Sequence, residues 1–212
     1  MVVTTIISFT TSAPSDTTIP ELNKAFSILS SRSQFTMGTK VQDPSTIQIT
    51  AEWPSLQAPS DLTTSTSFQA FEQAISAITS SPLNTILADL NGSIFLSGNP
   101  PLIEFVASSF PSSSTSSPEF KTKIESDFAR FETIYRRRGS PDACGEIGLA
   151  TGWAEEKDGV SAFVVVRGWS EMRRFEESLR TEEFKEGIPI LMEWGVPFEL
   201  WHVERRAGGE GL

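Results

Sequence analysis

His202 is the only histidine in the chain and Tyr135 the only tyrosine, so a proton transfer that needs an imidazole or a phenol has one candidate for each. Alternation along Phe198-Glu-Leu-Trp-His-Val203 puts His202 on one strand face with Phe198 and Leu200, and Glu199, Trp201 and Val203 on the other. Two readings stand for it: a general acid/base, for which an unperturbed pKa of about 6.5 is suited, or a histidine packed at the rim of the core. The packed reading is favoured, because no second motif accompanies the ring. Tyr135 lies at helical spacing with Phe128 and Phe131, so it is either a proton donor beside His202 or, as the apolar stripe favours, a packing residue with its hydroxyl at the edge. Arg167 shares a strand face with Phe163, Val165 and Trp169. A guanidinium in that company either lines a cavity, where it would orient an anionic or carbonyl group, or ends its strand in solvent, the commoner outcome. Glu52, Glu104 and Glu199 are strand carboxylates that would act as bases if their faces line a cavity, although exposure at a strand edge is expected for each. Trp153, Trp169, Trp194 and Trp201 suit a flat hydrophobic ligand and equally a large core, with core the safer reading.

Other chemistries find no support. A zinc site takes about four nitrogen or sulfur ligands, and one histidine with one cysteine, Cys144, cannot assemble the usual set. Gly208-Gly-Glu-Gly211 is a terminal tail and not a phosphate loop, and no nucleophile elbow occurs. No metal or other cofactor is therefore expected.

The elements that must position these residues can be traced along the chain. Val2 to Phe9 is β-branched and reads as a strand, Thr10 to Thr18 as a loop, and Pro20 as the start of a helix carrying Leu22, Phe26 and Leu29 on one face and ending near Ser31. Gln34 to Val41 reads as a strand. Asp43-Pro-Ser45 is a turn, and Ile47 to Trp53 alternates strictly before Pro54. Phe68, Phe71, Ile75 and Ile78 mark a second helix. Asn91-Gly92 is a turn before a short strand at Ile94-Phe-Leu96. Leu102 to Val106 restarts the series. The serine run from Pro111 to Pro118 reads as a mobile loop, and Phe120, Ile124, Phe128, Phe131 and Tyr135 as a long amphipathic helix ended by Arg136-Arg-Arg-Gly139. Then come a glycine-punctuated segment from Cys144 to Trp153, a charged turn at Glu155 to Gly159, an apolar strand from Val160 leading to Trp169, a charged helical segment and the closing strand.

With 212 residues the chain can bury roughly 70% of its unfolded surface without disulfides or metals. Its net charge of -10 argues against nucleic acid, which requires clustered Lys and Arg. No apolar run approaches the length of a membrane span, and the first ten residues lack the basic start of a signal peptide. A single cysteine suits a reducing compartment. The chain reads as cytoplasmic.

The order strand, helix, glycine-containing strand, turn, strand ending in Trp, helix, strand occurs twice, with Trp53 the counterpart of Trp169. Each pass is a βαββαβ unit. The expected boundaries are 1–98, 99–206 and a flexible tail, 207–212. The glycine-rich strand, the Asp158-Gly159 turn, the strand ending in Trp169, the charged helix with Phe175 and Phe184 and the final strand together resemble the dimeric α/β-barrel superfamily. They are most similar to its fungal, antibiotic-biosynthesis-monooxygenase-like members that fuse two units in one chain.

That resemblance implies an α+β fold in which two fused ferredoxin-like units form a pseudo-dimeric α/β barrel. It does not choose a reaction, because the superfamily holds cofactor-free monooxygenases, polyketide cyclases, isomerases, haem enzymes and stress-responsive proteins. Its cyclases use a histidine, and its haem members do not place their axial ligand in a terminal strand such as that of His202. The expectation is a cofactor-independent enzyme or binder of a small hydrophobic, polyketide-like compound held in a barrel cavity, with His202 exchanging the proton, Arg167 orienting an oxyanion and Tyr135 a third candidate. The alternative is a non-catalytic stress-related or scaffold protein with a packed barrel, favoured slightly by the Ser/Thr-rich, charge-poor first half. The fused units are expected as a monomer with an internal pseudo-dimer, or as a homodimer paired through exposed strand edges.

Overall fold

The computed structural model describes residues 2–12, 22–25, 27–28, 35–53, 64–95, 99–137, 139 and 143–206. The chain divides into two compact units, Met1–Ile94 with Trp201–Leu212, and Phe95–Leu200.

In the first unit the β-branched start forms β1 (Val2–Thr10), which pairs antiparallel with β3 (Thr46–Trp53) on one side and β4 (Asn84–Leu90) on the other. β3 also pairs with β2 (Phe35–Lys40), and β2 with the end of β8 (Phe198–Arg205). The β2–β8 approach is close: a Cβ on Gly38 would run into the Val203 side chain and the Glu204 backbone. Helix α1 (Thr66–Ile75) begins where Ser65 Oγ accepts the Phe68 N–H at 3.1 Å, and it buries Phe68, Phe71 and Ile75. Residues 22–25 and 27–28 are helical, with Leu22 and Ala25 buried. One sheet face and these helical residues make a single apolar core around Phe9, Ile47, Phe35 and Trp53. Thr4, Gln48 and Thr50 are buried as well, so β3 is covered on both faces.

In the second unit β5 (Leu102–Pro111) pairs with β7 (Val160–Trp169), and β7 with β6 (Glu146–Ala154). The start of β8 reaches β5, where the Ser109 N–H donates to the Pro197 carbonyl at 2.9 Å. Asp158 and Gly159 turn the β6–β7 hairpin in left-handed conformations, φ 52° and 77°. Among the described residues this sheet is accompanied by α2 (Ser112–Thr115), α3 (Pro118–Tyr135), α4 (Met172–Ser178) and α5 (Glu182–Met192). α3 is started by Ser117 Oγ, which accepts the Phe120 N–H at 3.2 Å, and by Pro118 at its first position.

The structure departs from the sequence reading in four places. The strand expected at Ile94-Phe-Leu96 lies before the Asn91-Gly92 turn, as β4; Ile94 is in a bend, and Leu96 lies outside the described residues. The strand begun at Leu102 continues to Pro111. The serine run beyond it holds one helical turn, α2, and the cap of α3. The charged helical segment after Trp169 is two helices, the second started by Thr181 Oγ accepting the Phe184 N–H at 3.2 Å. Most of the expected Thr10–Thr18 loop, Pro20, Phe26, Leu29, Ser31, Pro54 and the 207–212 tail fall outside the described residues. Among the described residues no helix is long and apolar enough to cross a membrane.

Candidate functional site

In the second unit, alternation sends Glu104, Val106 and Ser108 of β5 and Val165, Arg167 and Trp169 of β7 to the helix-covered side of the sheet. Between that face and α3, α4 and α5 lies a cavity of about 150 Å³. This space is bounded by helices as well as by strands. The opposite faces of β5 and β7 are filled by buried Ile103, Phe105, Val164 and Val166, and the open volume sits under the helices.

The cavity has two chemically different ends. One is apolar, lined by Phe128, Val165, Leu191, Trp194 and Val196. Its rim is unusual: Met192, Phe198, Leu200 and Leu179 all line it while 58%, 51%, 38% and 36% exposed. Exposed apolar side chains are thus gathered around one opening and not scattered singly.

The other end is ionic. Arg167 is 4% exposed, with Nη2 donating to Glu132 Oε1 at 2.5 Å and Nη1 donating to Glu146 Oε2. Arg136 completes a ring, donating from Nε to Glu132 Oε2 at 2.9 Å and from Nη2 to Glu146 Oε1. Two guanidinium groups thus alternate with two carboxylates. Such a ring satisfies charges that burial would otherwise make costly. Burial alone would lower the Arg167 pKa, but Glu132, Glu146 and Glu104 more than offset this and raise it, so the side chain stays charged. The Arg167 guanidinium carbon also sits 5.2 Å from the Tyr135 ring centre, within cation–π range.

A third carboxyl stands beside the ring. Glu104 is 7% exposed, and its Oε2 accepts the Trp169 indole N–H at 2.7 Å. Burial pushes its pKa up, against the opposing pull of Arg167 and the Trp169 hydrogen bond. The edge exposure expected for this residue does not occur, because its face is the one the helices cover. Tyr135 stacks on Phe131 at 5.3 Å and its hydroxyl meets Ser178; burial moves its pKa up to about 12, so it is a neutral donor across the ordinary pH range.

Backbone geometry aims these groups. Gly145, at φ 82°, precedes Glu146, and a Cβ there would meet Ser170 Oγ at 2.5 Å. The β6–β7 register shifts between Glu146 and Leu149, an irregularity that turns the Glu146 side chain toward the two arginines.

Of the three candidates named from sequence, Arg167 and Tyr135 come together in this cavity, and His202 is not among its lining residues. His202 belongs to the first unit, 1% exposed. Gln42 clasps it at two points: its Nε2 donates to the ring Nδ1 at 2.8 Å, and its Oε1 accepts the His202 backbone N–H at 2.9 Å. Burial depresses its pKa to about 4, leaving the ring neutral. Glu52 accepts the Ile94 N–H, and Glu199 is exposed. Trp169 lies buried at the cavity wall, and Trp201 is buried with its N–H donated to Gln48 Oε1 at 2.7 Å.

Sequence reasoning passed over Glu132 and Glu146. Glu132 had a signal, since it falls on the apolar stripe between Phe128 and Tyr135. Glu146 had none, because its direction depends on the backbone around Gly145 and the register shift. Among the described residues that line the cavity there is no histidine or cysteine, the commonest axial ligands of a haem.

No protein-family profile matches the sequence, and no curated protein does. Solved structures do match. A candidate monooxygenase from Fusobacterium nucleatum subsp. nucleatum superposes with a TM-score of 0.63 at 14% identity, covering 100% of this chain and 96% of that one. A candidate monooxygenase from Lactobacillus acidophilus gives 0.61 at 10% identity, over 96% and 93% of the two chains. An anthrone oxidase-like protein gives 0.59 at 13% identity, over 100% and 95%. These likenesses show the fold: an α+β, single-chain duplicated form of the dimeric α/β barrel, built from two ferredoxin-like units.

Proposed function

We propose that this protein takes a small hydrophobic compound into the cavity of its second unit, as a cofactor-independent enzyme or binder. The observation that carries this reading is the pairing of an apolar chamber, entered past Met192, Phe198, Leu200 and Leu179, with a buried polar end at Glu104, Arg167 and Tyr135. Ligand pockets characteristically combine mostly apolar walls with a few placed polar groups. A space of this size accepts one benzene-sized ring, and a larger molecule would extend through the rim. The likeness to an anthrone oxidase-like protein and to candidate monooxygenases favours an aromatic, polyketide-like ligand.

Within this reading Arg167 is a fixed part of the wall and not a hand extended to an anion, since both terminal nitrogens are held by carboxylates. Tyr135 is a neutral hydroxyl at the polar end. The packed alternative fits the strand faces filled by Ile103, Phe105, Val164 and Val166, but it does not account for the chamber under the helices of the second unit.

Calorimetric titration with ethylbenzene tests the proposal. Saturable one-to-one binding is expected; heats that show no saturation up to the solubility limit would overturn it.

A further inference from the structure

The ionic end of the cavity contains one acidic group more than its arginines balance. Arg167 and Arg136 are matched by Glu132 and Glu146 in a closed ring, and Glu104 lies next to that ring with no guanidinium of its own. A third negative charge at a site more than nine-tenths buried is strongly disfavoured unless a further cation pairs with it. Among the described residues nothing around the group supplies one. The titratable and charged side chains that face it are Arg167 on β7, Glu146 on β6, and Glu132, Arg136 and Tyr135 on α3. α4, α5 and β8 present only Phe175, Ser178, aliphatic and aromatic side chains to the cavity.

The two oxygens of Glu104 are differently placed. Oε2 accepts the Trp169 indole N–H, and Oε1 makes no hydrogen bond among the described residues, in a residue that lines the cavity. The Trp169 bond fixes the carboxyl plane, so Oε1 is the atom left to face a ligand. If the group is neutral, that atom carries the proton.

We propose that Glu104 stands as a carboxylic acid and donates a hydrogen bond from Oε1 to the carbonyl oxygen of an uncharged aromatic ketone, whose ring fills the apolar chamber. The proposal rests on the ligand-binding reading above and names the ligand class that reading leaves open. Three features converge on it. The surplus carboxyl is a donor in its neutral form. The guanidinium that would attract an anion is already paired with two carboxylates. Beyond the hydroxyls of Tyr135, Ser108 and Ser178, the remainder of the chamber offers hydrocarbon contact. The upward pKa shift that burial gives Glu104 agrees with this arrangement. An anionic ligand such as an aryl carboxylate would instead bring a second unbalanced charge to the same end.

Three one-ring probes of similar shape separate the possibilities: acetophenone, ethylbenzene and benzoate, each titrated calorimetrically into the whole protein at mildly acidic pH. Acetophenone is expected to bind tightest and benzoate weakest. Glu104→Gln keeps an N–H donor at the same place and should keep the order; Glu104→Leu should cost acetophenone roughly tenfold, the scale of one buried hydrogen bond, while ethylbenzene binding persists and shows the fold intact. Raising the pH should weaken acetophenone binding to the parent protein and leave Glu104→Gln unchanged. Benzoate binding tightest, or an acetophenone preference that survives Glu104→Leu, overturns the proposal. Equal affinity for acetophenone and ethylbenzene overturns it too, but leaves the ligand-binding reading standing. Failure of all three probes to bind would remove both.

Discussion

The two units run the same strand order, and their register lets them be compared position by position. Val3 stands opposite Trp53 in the first, and Leu102 opposite Trp169 in the second. Two residues further in, Thr5 faces Ala51 where Glu104 faces Arg167; four beyond that, Phe9 faces Ile47 where Ser108 faces Phe163. Both tryptophans donate their indole N–H to the equivalent position of the neighbouring strand, Trp53 to Thr5 at 2.9 Å and Trp169 to Glu104 at 2.7 Å. The scaffold is shared, and of the positions that differ Thr5/Glu104, Ala51/Arg167 and Phe9/Ser108 change charge or bulk most. Where the first unit has Thr5, Ala51 and Phe9, side chains pack into one apolar cluster, with Phe35 edge-on to Trp53 at 5.6 Å. Where the second has Glu104, Arg167 and Ser108, charge must be satisfied and a small residue leaves space.

The comparison is broken most forcefully at Arg167. Arg167→Met removes one cation from the ring and strands Glu104, Glu132 and Glu146 around Arg136. Leaving buried charge without its partner costs about 3–5 kcal/mol. Chemical denaturation should show that loss at neutral pH and less of it in acid. The sign follows from the stranded carboxyls: removing Arg167 removes a positive charge that lowers the Glu104 pKa, so this group titrates still higher. A group whose folded pKa is raised supports the fold below its unfolded value and ceases to do so as pH rises through the folded one. A variant equally stable at all pH values would show that the ring carries no net charge burden. The corresponding position in the first unit, Ala51, has no such dependence to lose.

How much of this contrast could be read from the sequence differs by level. The duplication was legible because Trp53 and Trp169 each end an apolar strand, and the pattern around them repeats. β4 was not, since Leu87 interrupts the alternation of Ile86, Ala88 and Leu90, and the Asn91-Gly92 turn marks the end of a strand as well as it marks a beginning. Arg167 drew attention by the same logic that should have drawn it to Glu132: a charge on an apolar face. Alternation gave Glu104 and Arg167 to their faces, but which face the helices cover is a tertiary fact that no strand carries in itself. The clasp of His202 by Gln42 and its burial were not legible either, because they depend on a residue 160 positions away in sequence.

A second contrast concerns acid. The first unit contains a buried neutral imidazole, and its folded pKa of about 4 lies below the ordinary value of 6.5. Its contribution is therefore present above the unfolded value, and it is lost as pH falls from there through the folded one. Hydrogen exchange followed across this window should show β2 and the end of β8 losing protection before β5 and β7, with the melting temperature falling by roughly 5 °C. His202→Leu should flatten that part of the profile. Protection lost first in β5 and β7 would place the acid-sensitive group in the second unit instead.

The smallest expected effect on stability is the most informative about the chamber. Ser108 lines the cavity and is the register counterpart of Phe9, which is 2% exposed at the centre of the first unit's core. Ser108→Phe therefore places in the second unit the ring that fills the first. Because the added ring enters existing space, the overpacking that makes small-to-large changes costly is limited, and the change in stability should stay within about 1 kcal/mol. Ligand binding should respond very differently. A phenyl group occupying the chamber competes for the same volume, so ethylbenzene affinity should fall by at least tenfold, about 1.4 kcal/mol, while the Arg167 ring and the Glu104–Trp169 bond remain. Stability retained with binding lost would mean that one side chain decides whether this fold is a core or a site. Binding retained would move the site away from Ser108. Stability lost along with binding would mean that the apolar chamber is held open by contacts that cannot yield, a rigidity that the first unit, packed solid at the same register, never needs.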